Sequence, residues 1–191
     1  MFPVGGVGVM LVLIALAGAA CALLGWATRR RLGLLGATTL ALLVWSLVVI
    51  GVLTLIPANG APGWVMAEER LETCSFDYGG PAPEGFWIFG GGQRMLNVAI
   101  FVPAGALLVL FAARWPRTAW LTAPFGVLAL AASSVVIELA QLELARLDRA
   151  CDVTDMVDNA TGAAVGGAVG LVLALLLRPW RHRGVDPGRG R

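Results

Sequence analysis

Lysine does not occur in this chain of 191 residues, histidine and tyrosine occur once each, and cysteine three times. The only histidine, His182, lies in the C-terminal tail, so no Ser/His/Asp or Cys/His constellation can form. Charged residues make up just 14%, all 14 basic residues are arginine, and the net charge of +2 is too small to argue for a nucleic-acid partner. Two loop cysteines with no histidine beside them make a poor zinc set. No internal repeat is visible, which sets aside solenoid architectures.

What remains is apolar. Hydrophobic residues are 58% of the chain and mean hydropathy is +0.81, well beyond an ordinary soluble domain. Five stretches can each cross about 30 Å of hydrocarbon: Val4–Trp26, Leu32–Ile56, Met95–Ala113, Ala119–Leu139 and Ala160–Leu177. The first has no charged leader region, and "LAGAAC" puts Gly18 where a lipoprotein cleavage box needs leucine, so it reads as a spanning helix. The expectation is an all-α membrane protein with five transmembrane helices, multi-pass in the bacterial plasma membrane.

Arginine distribution sets the orientation, because short cytoplasmic loops retain positive charge. Arg29, Arg30, Arg31, Arg114, Arg117 and the five tail arginines fall on one side; Arg70, Arg94, Arg146 and Arg149 fall on the other. The N-terminus is then outside and the C-terminus cytoplasmic. Every acidic residue except Asp186 lies at the outer face, where chemistry belongs. Residues 1–177 read as a single transmembrane domain and 178–191 as a disordered basic tail.

The outer loop between the second and third spans, from Pro57 to Gly92, is rich in proline and glycine. Within it "GWVMAEERLETCSF" reads as an amphipathic helix lying in the interface. Phe86, Trp87 and Phe89 are aromatic anchors of the headgroup type. Cys74 and Cys151 both face the oxidising side and can form a disulfide where geometry permits, whereas Cys21 reads as a small packing residue inside the first span. Gly162, Gly166 and Gly170 form a small-xxx-small stripe on the last span, suited to a homodimer or to an internal helix contact.

Polar residues cluster at the outer ends of the last three spans. Glu138 and Gln141 share a face of the fourth, close after Ser133 and Ser134; Asp155, Asn159, Gly162 and Gly166 are spaced four, three and four along the fifth, with Asp152 just before; Arg94 and Asn97 open the third. An ionisable group inside a spanning segment costs at least about 2 kcal/mol unless it faces protein or water, so these groups should converge in a pocket, closed by Arg146 or Arg149 from the loop. Glu143, Asp148 and Asp158 read instead as helix-end charges.

At these residues the chain resembles the VanZ-like membrane proteins. "NVAIFVPAGALL" is similar to the family's N-x-x-x-F-x-P-x-G segment. "IELAQL" followed by "RACDVTDMVDNATGAAVG" resembles its E-x-x-Q and R-x-x-D-[IV]-x-D-x-x-x-N-x-x-G-x-x-x-G segments, in the same order and on the same helices. The likeness runs from about residue 40 to residue 177 and maps onto Asn97, Phe101, Pro103, Gly105, Glu138, Gln141, Arg149, Asp152, Asp155, Asn159, Gly162 and Gly166. Thr154 stands where many members carry a second aspartate. The resemblance implies a link to resistance against the lipoglycopeptide teicoplanin and an action on lipid head groups.

One reading is an enzyme on a phospholipid or polyprenyl-phosphate head group at the outer leaflet. Glu138 and Asp155 would serve as acid and base, Arg149 with Arg94 would hold phosphate, and Asn97, Gln141, Asp152 and Asn159 would orient the substrate. The alternative is a non-catalytic pocket for a membrane lipid or lipid-linked cell-wall precursor that limits antibiotic access. Transport fits poorly, since the polar groups sit at one leaflet rather than at the midplane. No cofactor is expected; Asp152 and Asp155 would make at best a loose divalent-metal site.

Overall fold

A computed structural model of the chain describes residues 5–56, 74–76, 92–143 and 151–179. Arg146, Arg149, most of the outer loop with its aromatic group, and the tail beyond residue 179 lie outside the described residues. Four helices are long and apolar enough to cross a membrane: α1 (Val7–Leu55), α2 (Gly92–Ala112), α3 (Pro116–Glu143) and α4 (Val153–Leu177). Among the described residues there is no strand, only one isolated bridge between Ser75 and Asp152.

The helical run of α1 is broken at Gly33, where φ is 68° and ψ 168°, a left-handed conformation that glycine adopts without a Cβ clash. Its two arms fold back on each other. Trp45 Nε1 donates to the Ile14 carbonyl at 3.0 Å, although 31 intervening steps of straight helix would separate them by about 46 Å. The arms correspond to the first two apolar stretches of the sequence. Hydroxyls within them are satisfied locally: Thr28 bonds to the Leu24 carbonyl and Thr54 to that of Ile50, each at 2.8 Å.

α2 and α4 run parallel in close contact. A Cβ on Gly162, Gly166 or Gly170 would strike the carbonyl oxygen of Val98, Val102 or Ala106, and one on Gly105 that of Ala163. The glycine stripe is therefore occupied within the chain, backbone against backbone. Pro103 sits inside α2, which continues through it. All four helices contribute to the core formed by Ile50, Phe101, Ala104, Leu130 and Ala163. The periphery is apolar, with Leu16, Leu23, Trp120, Phe125, Leu171 and Leu176 exposed, as a lipid-facing surface requires.

Charge is segregated along the bundle. Arg94, Asp152, Asp155 and Asp158 gather where α3 ends and α4 begins, while Arg29–Arg31, Arg114, Arg117 and Arg178 mark the opposite end. There Arg114 is buried, its guanidinium occupying the space a Cβ on Gly36 would need, which ties the break in α1 to the turn between α2 and α3.

At the acid-rich end, Cys74 and Cys151 are joined by a disulfide. Ser75 N–H donates to the Cys151 carbonyl at 2.8 Å, and Val153 N–H to the Ser75 carbonyl at 3.1 Å. The interfacial helix expected through "GWVMAEERLETCSF" is thus corrected for its last three residues, which are extended because they pair with the approach to α4. Residues 63–73 of that stretch lie outside the described residues.

Candidate functional site

The polar residues of the last three spans meet at the acid-rich end, above the apolar core. Asn97, Ser134, Glu138, Gln141, Asp158 and Asn159 are all buried, Glu138 and Asn159 to 2% exposure. All lie inside helices; Gln141, Asp158 and Asn159 do so because α3 and α4 extend beyond the apolar runs that announce them.

A buried carboxylate needs donors, and Glu138 finds one on the neighbouring helix. The backbone N–H of Asp152 donates to Glu138 Oε2 at 3.1 Å. Asp152 is itself the N-cap of α4, its Oδ1 accepting from the Thr154 N–H at 2.8 Å. Two carboxylates, one from each helix, thus meet the positive end of α4. Asp155 follows in the first turn, half-buried.

Gln141 reaches the other way. Its Nε2 donates at 2.9 Å to the carbonyl of Thr54, one of the last carbonyls of α1, which lack a partner within their own helix. Asn159 Nδ2 donates to Ser134 Oγ at 3.3 Å, and Ser134 Oγ donates to the Met156 carbonyl at 3.3 Å. This chain locks α3 to α4 in the plane of the recess.

Arg94 is held by Asp158. Its Nε donates to Oδ2 at 2.9 Å and its Nη2 to Oδ1 at 3.1 Å, a two-pronged pair that fixes α2 against α4. One expectation changes here. Asp158 is not a helix-end charge but a buried partner across helices, and Arg94, expected at the phosphate, gives it Nε and Nη2. The signal for Asp158 was present: it lies four residues before Gly162, on the face that packs on α2. Ser134 and Thr54 also enter the network. Ser134 carried a weak signal in its proximity to Glu138, whereas a carbonyl such as that of Thr54 carries none.

Two buried atoms have no hydrogen-bond partner among the described residues of this recess: Asn97 Nδ2, a donor, and Asn159 Oδ1, an acceptor. Each such atom costs about 1–3 kcal/mol if nothing meets it. Among the described residues no group of three or more His, Cys, Asp and Glu is placed to hold a metal ion. Arg149, expected to close the recess, lies outside them.

Residues 39–177 match a family model described as VanZ/LLP1. The match spans most of the second arm of α1 and all of α2, α3 and α4, and so contains every residue of the recess. No curated protein and no solved structure matches the chain.

Proposed function

The chain belongs to the VanZ-like family, and from that membership together with the recess we propose that it binds a phosphorylated lipid head group, of phospholipid or polyprenyl-phosphate type, in the bacterial cell envelope. The observation that carries this reading is the pair of open hydrogen-bonding atoms, Asn97 Nδ2 and Asn159 Oδ1, buried in a polar layer. A head group with both an acceptor oxygen and a hydroxyl complements that pair. In the proposed topology α1 supplies two crossings and α2, α3 and α4 one each, with the N-terminus outside and the recess at the outer leaflet; the segregation of arginine supports it. Arg149 is the proposed phosphate partner, no cofactor is invoked, and the consequence in the cell is a change in susceptibility to teicoplanin.

Binding without turnover is favoured over chemistry by one feature. Glu138, the proposed acid, accepts the N–H at the head of α4, and Arg94 forks onto Asp158, so both perform structural work. Catalysis by Glu138 and Asp155 is the second reading.

The test uses the full chain purified in detergent and titrated with a polyprenyl phosphate under native mass spectrometry. Asn97→Leu and Asn159→Leu should each lower retention at least tenfold while the protein stays folded. Unchanged retention in both variants overturns the site. Consumption of the lipid by wild type and not by Asp155→Asn would establish the enzymatic reading instead.

A further inference from the structure

The arms of α1 enclose a groove that the recess does not use. It has a volume of about 550 Å³ and almost entirely apolar walls. The arms approach closely at glycines: a Cβ on Gly18 would lie 3.2 Å from the Trp45 indole, and one on Gly25 3.2 Å from the Ala41 Cβ. Small side chains on facing arms leave a hollow that neither arm fills. All of the first arm and the start of the second lie before residue 39, so most of the groove falls outside the family match.

One end of this hollow is cationic. Arg29 lines it with its guanidinium 5.0 Å from the Trp26 ring centroid, and Arg30 and Arg31 follow. No acidic residue precedes Glu68, and the described acidic residues all lie at the opposite end of the bundle, so no described acid stands beside the cluster. Trp26 is 63% exposed and Arg29 is exposed, an aromatic and a cation side by side at a membrane boundary.

We propose that this groove seats one acyl chain of an anionic phospholipid, with the lipid phosphate held by Arg29 beside Trp26. The occupant follows from complementarity along the groove: a long apolar wall suits a hydrocarbon chain, and an arginine cluster with no described acid beside it suits a phosphate that carries no compensating ammonium. A zwitterionic lipid fills the wall equally well and loses much of the charge attraction. A second copy of the chain in the same membrane orientation would bring its described acids to the opposite end and leave these arginines facing arginines.

The test titrates the full chain in detergent with phosphatidylglycerol or phosphatidylcholine and counts retained lipid by native mass spectrometry. Phosphatidylglycerol should be retained in preference, and Arg29→Ala should weaken it about fivefold, the loss of one arginine at an anionic surface. Arg117→Ala removes an exposed arginine from the same end but outside the groove, and should change retention less than about twofold, its charge being largely screened from the lipid. Thr38→Trp, at an exposed wall position, should fill the hollow and displace the chain. Measured in the Asn97→Leu background, which empties the recess, the preference for phosphatidylglycerol and its loss with Arg29→Ala should both persist, which separates the groove from the recess. Equal retention of the two lipids, equal effects of Arg29→Ala and Arg117→Ala, or undiminished binding by Thr38→Trp would overturn the proposal.

Discussion

Glu138 on α3 accepts a hydrogen bond at 3.1 Å from the backbone N–H of Asp152, the residue that caps α4. An acid at the end of an apolar run, still inside α3, is thereby stabilised by the positive end of the next helix, and the ends of α3 and α4 are held together.

The Glu138 side chain can be tested by two replacements. Glu138→Gln retains an acceptor and loses the charge, so it should cost about 1 kcal/mol of stability, whereas Glu138→Ala leaves the Asp152 N–H without this partner and should cost about 1–3 kcal/mol. Thermal unfolding in detergent distinguishes them. Equal losses would show that the carboxylate does not serve as acceptor for α4.

Glycine replacements within the helices should depend on what lies opposite. Gly166→Ala drives a Cβ into the Val102 carbonyl and should destabilise by about 1–3 kcal/mol. Gly51→Ala, in the second arm of α1 with nothing within 4 Å of the new Cβ, should be neutral or stabilise by up to about 1 kcal/mol through helix propensity. A shared sign for the two shifts would contradict the close α2–α4 approach.

The Arg94–Asp158 pair predicts an asymmetric mutant cycle. Arg94→Ala strands a carboxylate whose side chain is only 8% exposed, so it should be more harmful than the double replacement Arg94→Ala/Asp158→Ala. With the arginine side chain 43% exposed, the coupling should be about 1 kcal/mol, read from the unfolding midpoints of the four proteins. Strict additivity would remove the pair from the account of how α2 meets α4.

Reduction of the disulfide should loosen the approach to α4 rather than unfold the bundle. Cys74 and Cys151 are 77 residues apart, a closure that constrains a free chain by about 4 kcal/mol, less here because the intervening helices are held together by their own packing. Cys74→Ser should lower the unfolding midpoint, and a reducing agent should shift wild type to the variant's value without shifting the variant. A fall of equal size in the variant on reduction would point elsewhere.

Much of the architecture was legible from hydropathy alone. The stretches Met95–Ala113, Ala119–Leu139 and Ala160–Leu177 coincide largely with α2, α3 and α4, and the first two stretches with the arms of α1 on either side of Gly33. Their ends were less legible, because α3 and α4 carry helix into polar sequence whose charges are satisfied on neighbouring helices. Glu138, Gln141, Asn97 and Asn159 were recognisable as one group, since burial of polar atoms in an apolar chain demands partners. Asp158 was misread, as its partner stands 64 residues away on a different helix.

The sequence by itself determined that this chain is a set of apolar helices with acids gathered at one end and arginines at the other, because transfer of side chains between water and hydrocarbon depends on composition and not on neighbours. It also determined that the last helix needs a close companion, since three glycines at intervals of four have no other role in an apolar helix. Only the tertiary structure decided that the companion is α2, that Arg94 answers Asp158 while Glu138 answers the head of α4, and that the arms of α1 leave a groove between them. Those choices depend on which helix faces which and in what register, a matter of three-dimensional packing that one-dimensional periodicity cannot encode.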